Sequence, residues 1–214
     1  MKGSSPTPIV DQVDHLLFAA SELEQGMDII ESLLGTRPVL GGSHPGYGTH
    51  NALLGLGKTA YLEVIAPDPK QQVDHVWMGI DQLENPRLFR WAAIGKNLQA
   101  LREQALRQAI DIGEVKPGSR RQTNGQLLEW ELTDPNVMLG NGLVPFFIDW
   151  GAKGNPTPTL PAAGTLLDLR GHHPDPEHVQ GHLQKLNLSM KINRSEKIGL
   201  MAVIDCPNGR VELA

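Results

Sequence analysis

An α+β fold is predicted for this chain, built from repeated βαβββ units whose helices cover the outer faces of curved mixed β-sheets. Two observations predict it. Stretches with the period-two alternation of strands and stretches with the 3.6-residue period of helices recur three times in the same order along the 214 residues. Each helical stretch also has its own residues typical of a helix start or a helix end.

The first unit occupies residues 13–65. Val13–Ala19 alternates as a strand, and Ser21 with Glu24 has the spacing of a capping box at the start of an amphipathic helix. Gly35 is a natural terminator for that helix. Extended segments separated by glycine-rich turns follow, and the last strand of the unit is predicted over 61–65.

Two further units follow in the same order. The second has a strand over 88–94, a helix capped by Asn97 and three more strands that end at 144–150. The third has a helix capped by Asp175 and ends at 209–213. We therefore predict paired units over 1–151, a linker rich in Pro and Gly over 152–164, and a third unit over 165–214. That third unit packs on the pair or joins another copy across a dimer.

Composition limits the partners. The formal net charge is −5 and the sequence pI is about 5.9, which argues against a nucleic-acid or acidic-membrane partner because both require clustered Lys and Arg. The single cysteine, Cys206, excludes an internal disulfide. The polar first residues lack the apolar stretch of a secretion signal. We therefore expect a cytoplasmic protein whose ligand is a small molecule.

His15 and Glu63 are the first candidate site. Strand alternation places each of them on the inner face of its strand, with Tyr61 and Ile65 beside Glu63. A carboxylate among apolar residues is costly to bury unless it is paired or bound to a metal. Carboxylate oxygen and imidazole nitrogen are both good ligands for Zn, Ni, Mn or Fe. The spacing by itself also suits a hydrogen-bonded core histidine and a carboxylate paired with an arginine.

Several segments resemble the vicinal oxygen chelate superfamily and, within it, the glyoxalase-like domain family. They are residues 14–20, 48–53, 61–69, 121–130 and 145–150. The superfamily includes glyoxalases, extradiol dioxygenases, epimerases and antibiotic-resistance proteins. The resemblance implies that two βαβββ units pair into a cup, with metal ligands on the first and last strands of each unit. It is more specific for the fold than for an activity, because one scaffold hosts many chemistries.

This resemblance assigns His15 and Glu63 to the ligand positions of the first unit. The corresponding places of the second unit, 88–90 and 146–147, carry aromatic and aliphatic residues that cannot ligate a metal. In the third unit, alignment of the helix starts puts Asp168 and Glu212 in these positions. Units one and three would then share a metal site that includes Glu212, unless Glu212 points outward.

Other residues are candidates for contact with a substrate. His50 lies next to the expected cup, where it could act with Glu63 as a base near neutral pH, or could be a surface residue. Arginines could clamp a substrate carboxylate, and tryptophans could line an apolar wall or belong to the core. These candidates are Arg90, Arg120, Arg121, Trp130 and Trp150.

The leading hypothesis is a glyoxalase-like small-molecule enzyme. A divalent metal (Zn, Ni, Mn or Fe) held by His15 and Glu63 would polarise vicinal oxygens of a substrate. The sequence does not distinguish a lyase, an isomerase and a dioxygenase. The alternative is a metal-free binding or resistance-type protein whose cup sequesters a small apolar or aromatic ligand. In either case we expect a homodimer.

Overall fold

A computed structural model describes residues 7–121, except for the side chain of Arg121, and residues 127–214. The predicted α+β class is confirmed. Within these residues, twelve strands form one continuous curved sheet, and three α-helices pack against it. Ten of the strands follow each other in the order β12-β11-β9-β3-β4-β1-β5-β8-β7-β6, while β2 pairs with β3 and β10 pairs with β9.

The first unit forms one end of the cup. Its elements are β1 (Val13–Ala19), α1 (Leu23–Leu34), β2 (Val39–His44), β3 (Thr49–Leu56) and β4 (Tyr61–Pro67). The first strand, β1, pairs in parallel with the last strand, β4. β4 is antiparallel to β3, and β3 is antiparallel to β2.

The second unit completes the cup. Its elements are β5 (Arg87–Ile94), α2 (Leu98–Arg107), β6 (Val115–Arg121), β7 (Leu127–Thr133) and β8 (Phe146–Asp149). It repeats the pairing of unit one, since its first strand is parallel to its last. β1 and β5 are antiparallel neighbours, and this contact joins the two units. A cup made of units one and three, the alternative left open by the sequence, is therefore not formed in this chain.

The third unit has the predicted βαβββ order but a different pairing. Its elements are β9 (Ala162–His173), α3 (Pro176–Lys185), β10 (Lys191–Arg194), β11 (Gly199–Cys206) and β12 (Gly209–Leu213). β9 lies between β10 and β11, whereas the first strand of unit one lies beside the last. The start of β9 runs parallel to the end of β3, so this unit extends the sheet away from the cup.

Helix caps explain where two helices start. Asn97 accepts a hydrogen bond from the backbone N–H three residues on at 3.3 Å, and Asp175 does the same at 3.2 Å. The capping box expected for α1 is not formed. Glu22 occupies the N-cap position without a side-chain cap, and the Ser21 hydroxyl donates to Gln25 instead. Local spacing predicts which residues can cap, and the path of the incoming chain decides which one does.

The sheet has two apolar faces. The outer face packs under α1, whose Met27, Ile30 and Leu34 are buried against β3 and β4. Burial of one such side chain contributes about 1.5–3 kcal/mol. The inner face carries a smaller cluster that includes Leu17 and Ile148 and forms the inner surface of the cup. In the described part of the chain, no helix is long and apolar enough to cross a membrane.

Candidate active site

His15 and Glu63 meet on the inner face of the cup. The parallel register of β1 and β4 sets Leu17 opposite Glu63 and His15 opposite Tyr61, so all four residues share one face. Nε2 of His15 lies 3.5 Å from Oε2 of Glu63. Both side chains are buried, so their interaction takes place largely away from bulk water.

Asp14 holds the other nitrogen of the His15 ring. Its Oδ1 lies 2.8 Å from Nδ1 of His15. A carboxylate only accepts hydrogen bonds, so Nδ1 carries a proton, and in the neutral form of the ring the lone pair lies on Nε2. Asp14 also accepts from Nε1 of Trp150 at 3.1 Å and from Nδ2 of Asn155 at 3.1 Å. Trp150 and Asn155 thus hold Asp14 in place, and Asp14 in turn orients the histidine ring.

Aromatic rings hold the His15 imidazole from two sides. The Tyr61 ring stacks on it with centroids 4.7 Å apart, and the Phe146 ring meets it edge-on at 5.7 Å. Burial raises the pKa of the Tyr61 hydroxyl well above its usual value, and the carboxylates of Asp14 and Glu63 raise it further. Tyr61 is therefore neutral at physiological pH.

A buried arginine reaches the carboxylate through Asn51. Nδ2 of Asn51 donates to Oε1 of Glu63 at 2.6 Å, and Oδ1 of Asn51 accepts from Nη1 of Arg120 at 3.0 Å. Room for this bridge comes from Gly41 on β2. A Cβ at that position would lie 2.1 Å from Nη1 of Arg120 and 2.2 Å from Oδ1 of Asn51. A positive charge is thus placed two hydrogen bonds from Glu63.

His44 is a second imidazole in this network. Nδ1 lies 2.9 Å from the hydroxyl of Thr49, and Nε2 lies 3.4 Å from Nδ2 of Asn51 and 3.8 Å from Oε1 of Glu63. Burial lowers the pKa of His44, Glu63 partly offsets this effect, and the charge of Arg120 adds to it. His44 is therefore neutral near pH 7.

The polar network opens into a cavity. Its polar side is formed by the residues above, and its other walls are aromatic or aliphatic. These walls are Leu17, Leu53, Trp77, Trp130, Leu132, Phe146, Ile148 and Trp150. A concave site with few polar groups and many apolar ones is typical of a small-molecule site.

The sequence matches the family model described as a glyoxalase-like domain over residues 13–187. The chain belongs to the glyoxalase-like domain family. The resemblance inferred from the sequence is thereby confirmed. No curated protein matches the sequence at a significant level.

One solved structure shares the fold, and others are similar over part of the chain. A hypothetical protein from Staphylococcus aureus superposes with a TM-score of 0.66 and 12% identity, covering 94% of this chain and 98% of that chain. Methylmalonyl-CoA epimerase from Mycobacterium tuberculosis gives 0.46 at 19% identity, covering 71% and 95%. A methylmalonyl-CoA epimerase from Streptomyces coelicolor gives 0.45 at 15% identity, covering 68% and 98%.

Trp130 and Trp150 line the cavity of this glyoxalase-like chain, in the place expected from the sequence. His50 does not. It follows the opposite alternation from Asn51 and lines a separate groove next to Asp68, on the helix side of β3. Its expected role as a base in the cup is therefore not supported by its position.

Arg90 is fully buried and binds a loop. Nη1 donates to the carbonyl of Pro135 and to the sulfur of Met138, both at 2.6 Å, and Nη2 donates to the carbonyl of Val137 at 3.3 Å. Burial lowers its pKa to about 10. The guanidinium expected to clamp a substrate instead holds the segment between β7 and β8.

Glu212 and Asp168 also lie elsewhere. Glu212 is exposed on β12, where it accepts from Arg170, and Asp168 lies 3.9 Å from the same guanidinium. β12 and β9 belong to the extension of the sheet beyond β3, so neither residue joins His15. The structure describes Arg121 as the last residue of β6, and the Arg121 side chain falls outside the described part.

The donor set of this site differs from that of a metal centre. In residues 7–120 and 127–214, no group of three or more His, Cys, Asp or Glu side chains is arranged to hold an ion. Phe146 and Ile148 line the cavity from the last strand of unit two, which corresponds to the strand of Glu63 in unit one. The Arg120 cation also belongs to the same network as Glu63. These residues do not fit the predicted metal, because two ligands next to a guanidinium leave the coordination incomplete.

Asp14, His44 and Asn51 are site residues that the sequence did not single out. Plain alternation puts Asp14 on the face opposite His15, but the pairing of β1 with β5 is irregular between Val13 and His15. His44 is the last residue of β2. The glycine-rich sequence of this strand, with Gly41 and Gly42, has no alternation that could indicate it.

Proposed function

We propose that this protein is a small-molecule enzyme that moves a proton at a carbon next to a carbonyl group, with His15 as the base. One observation supports this most. The His15 ring keeps Nε2 towards the cavity because Nδ1 is bonded to the buried Asp14 carboxylate at 2.8 Å. A fixed imidazole with a free lone pair beside an apolar cavity is suited to general acid–base catalysis.

Each of these residues has a separate role in the proposed reaction. Nε2 of His15 takes a proton from the carbon, and the carboxylates of Asp14 and Glu63 stabilise the imidazolium that forms. The electron pair of the broken C–H bond moves onto the carbonyl oxygen, and the positive charge of Arg120 stabilises the resulting enolate. The imidazolium exchanges its proton with solvent, and Nε2 returns a proton to the same carbon, which gives exchange, or epimerisation when the proton returns to the opposite face.

In this proposal the polarisation expected from a divalent metal falls to Arg120. A guanidinium carries a permanent charge and several N–H donors, so it can bind an oxyanion without a metal. Asn51 fixes the Arg120 guanidinium by accepting one of its hydrogen bonds. The competing hypothesis is a divalent metal bound by His15 and Glu63. Measurement of the metal content of the protein distinguishes the two hypotheses.

Sequestration without turnover is the second candidate. The apolar walls of the cavity, with Trp77, Trp130 and Trp150, favour it because they would hold a small apolar ligand by burial alone. A binding protein would form a stoichiometric complex and leave the C–H bonds of its ligand intact. An enzyme would exchange those hydrogens with solvent.

Exchange of the hydrogens next to a carbonyl group for deuterium in D₂O tests the proposal. Wild-type protein and the variant His15→Gln are incubated with a panel of aldehydes, ketones and α-keto acids, and loss of the proton signal next to the carbonyl is followed by NMR. We expect catalysed exchange that falls by roughly 10²–10⁴-fold in the variant. The exposed His75→Gln serves as a matched control and should keep the wild-type rate. Equal rates in wild type and His15→Gln would contradict the proposal.

A further inference from the structure

A second chamber of about 500 Å³ adjoins the cavity. The two share His44, Trp77, Trp130 and Leu132 as common walls. The polar network lies at the inner end of this combined space, and the second chamber lies further from His15. Its chemistry decides which molecules can reach the histidine.

Loops joined by hydrogen bonds form the outer wall. The N–H of Trp77 donates to the carbonyl of Tyr47 at 3.0 Å, and the N–H of Met78 donates to Oδ1 of Asn136 at 3.2 Å. Met78 has a φ of 57°, which is an uncommon and strained conformation for a residue with a long side chain. Three separate segments are thus tied together where Trp77 enters the chamber.

Aromatic surfaces face the space. The rings of Tyr47 and Trp77 are 4.8 Å apart, and Trp130 lies against the backbone of β6 at Gly118. A Cβ at position 118 would lie 2.3 Å from Nε1 of Trp130, so the indole reaches this place only because the residue is glycine. The indole therefore packs directly against the strand, and Trp77 and Trp130 both line the chamber.

The charged side chains of Lys116 and Asp134 in the second, outer chamber neutralise each other. Nζ of Lys116 lies 3.1 Å from Oδ2 of Asp134, and both residues line the chamber. A phosphate-bearing ligand such as a coenzyme A ester needs unpaired cations for its phosphates. The lysine that lines this chamber is already neutralised, so the chamber suits an uncharged planar body.

The inner end holds a buried cation, Arg120, close to the carboxylates of Glu63 and Asp14. Lys116, Gly118 and Arg120 alternate onto the same face of β6, so Arg120 lies about 7 Å further along the strand than Gly118. Arg120 is buried and lines the inner cavity beside Glu63.

We infer that the substrate is an aromatic carboxylate, with its ring between Trp77 and Trp130 and its carboxylate on Arg120. This inference names the substrate class for the proposed enzyme and rests on that function for its meaning. The binding geometry itself depends on the two chambers alone. The ring would bury apolar surface against the two indoles, and the carboxylate would exchange its water for the guanidinium.

Calorimetric titration with three related compounds tests it. Hydrocinnamate has both the ring and the charge, hydrocinnamamide has the ring without the charge, and propanoate has the charge without the ring. We expect hydrocinnamate to bind at least about ten-fold more tightly than either of the others, because each lacks one of two independent contacts. Absence of hydrocinnamate binding, or equal affinity for any two of the three compounds that include it, would overturn the inference.

Two variants locate the ring. Trp77→Leu and Gly118→Ala should each weaken hydrocinnamate binding by roughly ten-fold and leave propanoate binding unchanged. Leu106→Ala, an exposed change on α2, is the control and should alter neither affinity. Unchanged hydrocinnamate affinity in Trp77→Leu would overturn the inference even if Gly118→Ala fails to fold.

The variant His15→Gln distinguishes a failure of the inferred substrate class from a failure of the proposed chemistry. It should lose exchange activity and still bind hydrocinnamate within about three-fold of wild type, because His15 lies at the inner end and the ring lies in the outer chamber. Loss of exchange with intact binding bears on the chemistry. Loss of the preference for hydrocinnamate with intact exchange on small carbonyl compounds bears on the substrate class.

Discussion

Oδ1 of Asp14 lies 2.8 Å from Nδ1 of His15, and both side chains are buried inside the cup. Neighbours in a regular strand point to opposite faces, so this contact exists only because β1 is irregular at this point. The pairing makes the histidine a fixed base, and it is the relationship on which the proposed chemistry depends.

Replacement of Asp14 by Asn should slow exchange by roughly 10–100-fold, because the partner of the imidazolium loses its charge. The midpoint of the rate–pH profile should move to lower pH, which a purely structural change would not cause. Trp150→Phe is the control, since it removes one donor to Asp14 and keeps a ring in the wall. An unchanged profile in Asp14→Asn would show that Asp14 does not act through His15.

Metal removal should leave exchange intact. Extensive dialysis against EDTA followed by elemental analysis should give active protein with less than stoichiometric Zn, Ni, Mn or Fe, because the described donor set is incomplete. Stoichiometric metal that is lost from both His15→Ala and Glu63→Ala, together with activity, would favour the metal hypothesis over the proposed one.

Stability should fall as the pH drops below the ordinary histidine value. Burial lowers the pKa of His44 below 6.5 in the folded protein, so the unfolded chain binds a proton first. The stability this group contributes is complete above pH 6.5 and is lost as the pH falls towards the folded pKa. The loss is at most about 1.4 kcal/mol per pH unit for one group.

Urea denaturation between about pH 7.5 and 5 measures this dependence. The slope of the unfolding free energy against pH should be smaller in His44→Gln than in wild type. Desolvation also lowers the pKa of His50 and His182, so some slope remains in the variant. His75→Gln, at an exposed position, should reproduce the wild-type slope. A slope unaffected by His44→Gln would contradict the assignment.

Arg90 should matter for stability more than for binding. Arg90→Met removes donors to the carbonyls of Pro135 and Val137, and the free energy of unfolding should fall by about 2–4 kcal/mol. Arg107→Met, on the exposed side of α2, is the control and should change stability by less than about 0.5 kcal/mol. Normal stability combined with weaker hydrocinnamate binding would restore the expectation that Arg90 binds substrate.

The sequence predicted the elements well because their patterns are local. Alternation predicts Val13–Ala19 and Gly209–Leu213 with the bounds that the structure has. The same alternation puts His15 and Glu63 on inner faces, where they meet at 3.5 Å. Glu212 was misplaced because alignment of the third unit with the first assumes equal strand pairing, and β9 instead lies between β10 and β11.

By itself, the sequence determined the α+β class, the three βαβββ repeats and the inward direction of His15 and Glu63, because periodicity and strand pleating act over a few residues. Only the tertiary structure decided that β1 pairs with β5 and that Arg120 reaches Glu63 through Asn51. These are contacts between residues far apart in the chain. They depend on which strands become neighbours, and no local pattern carries that information.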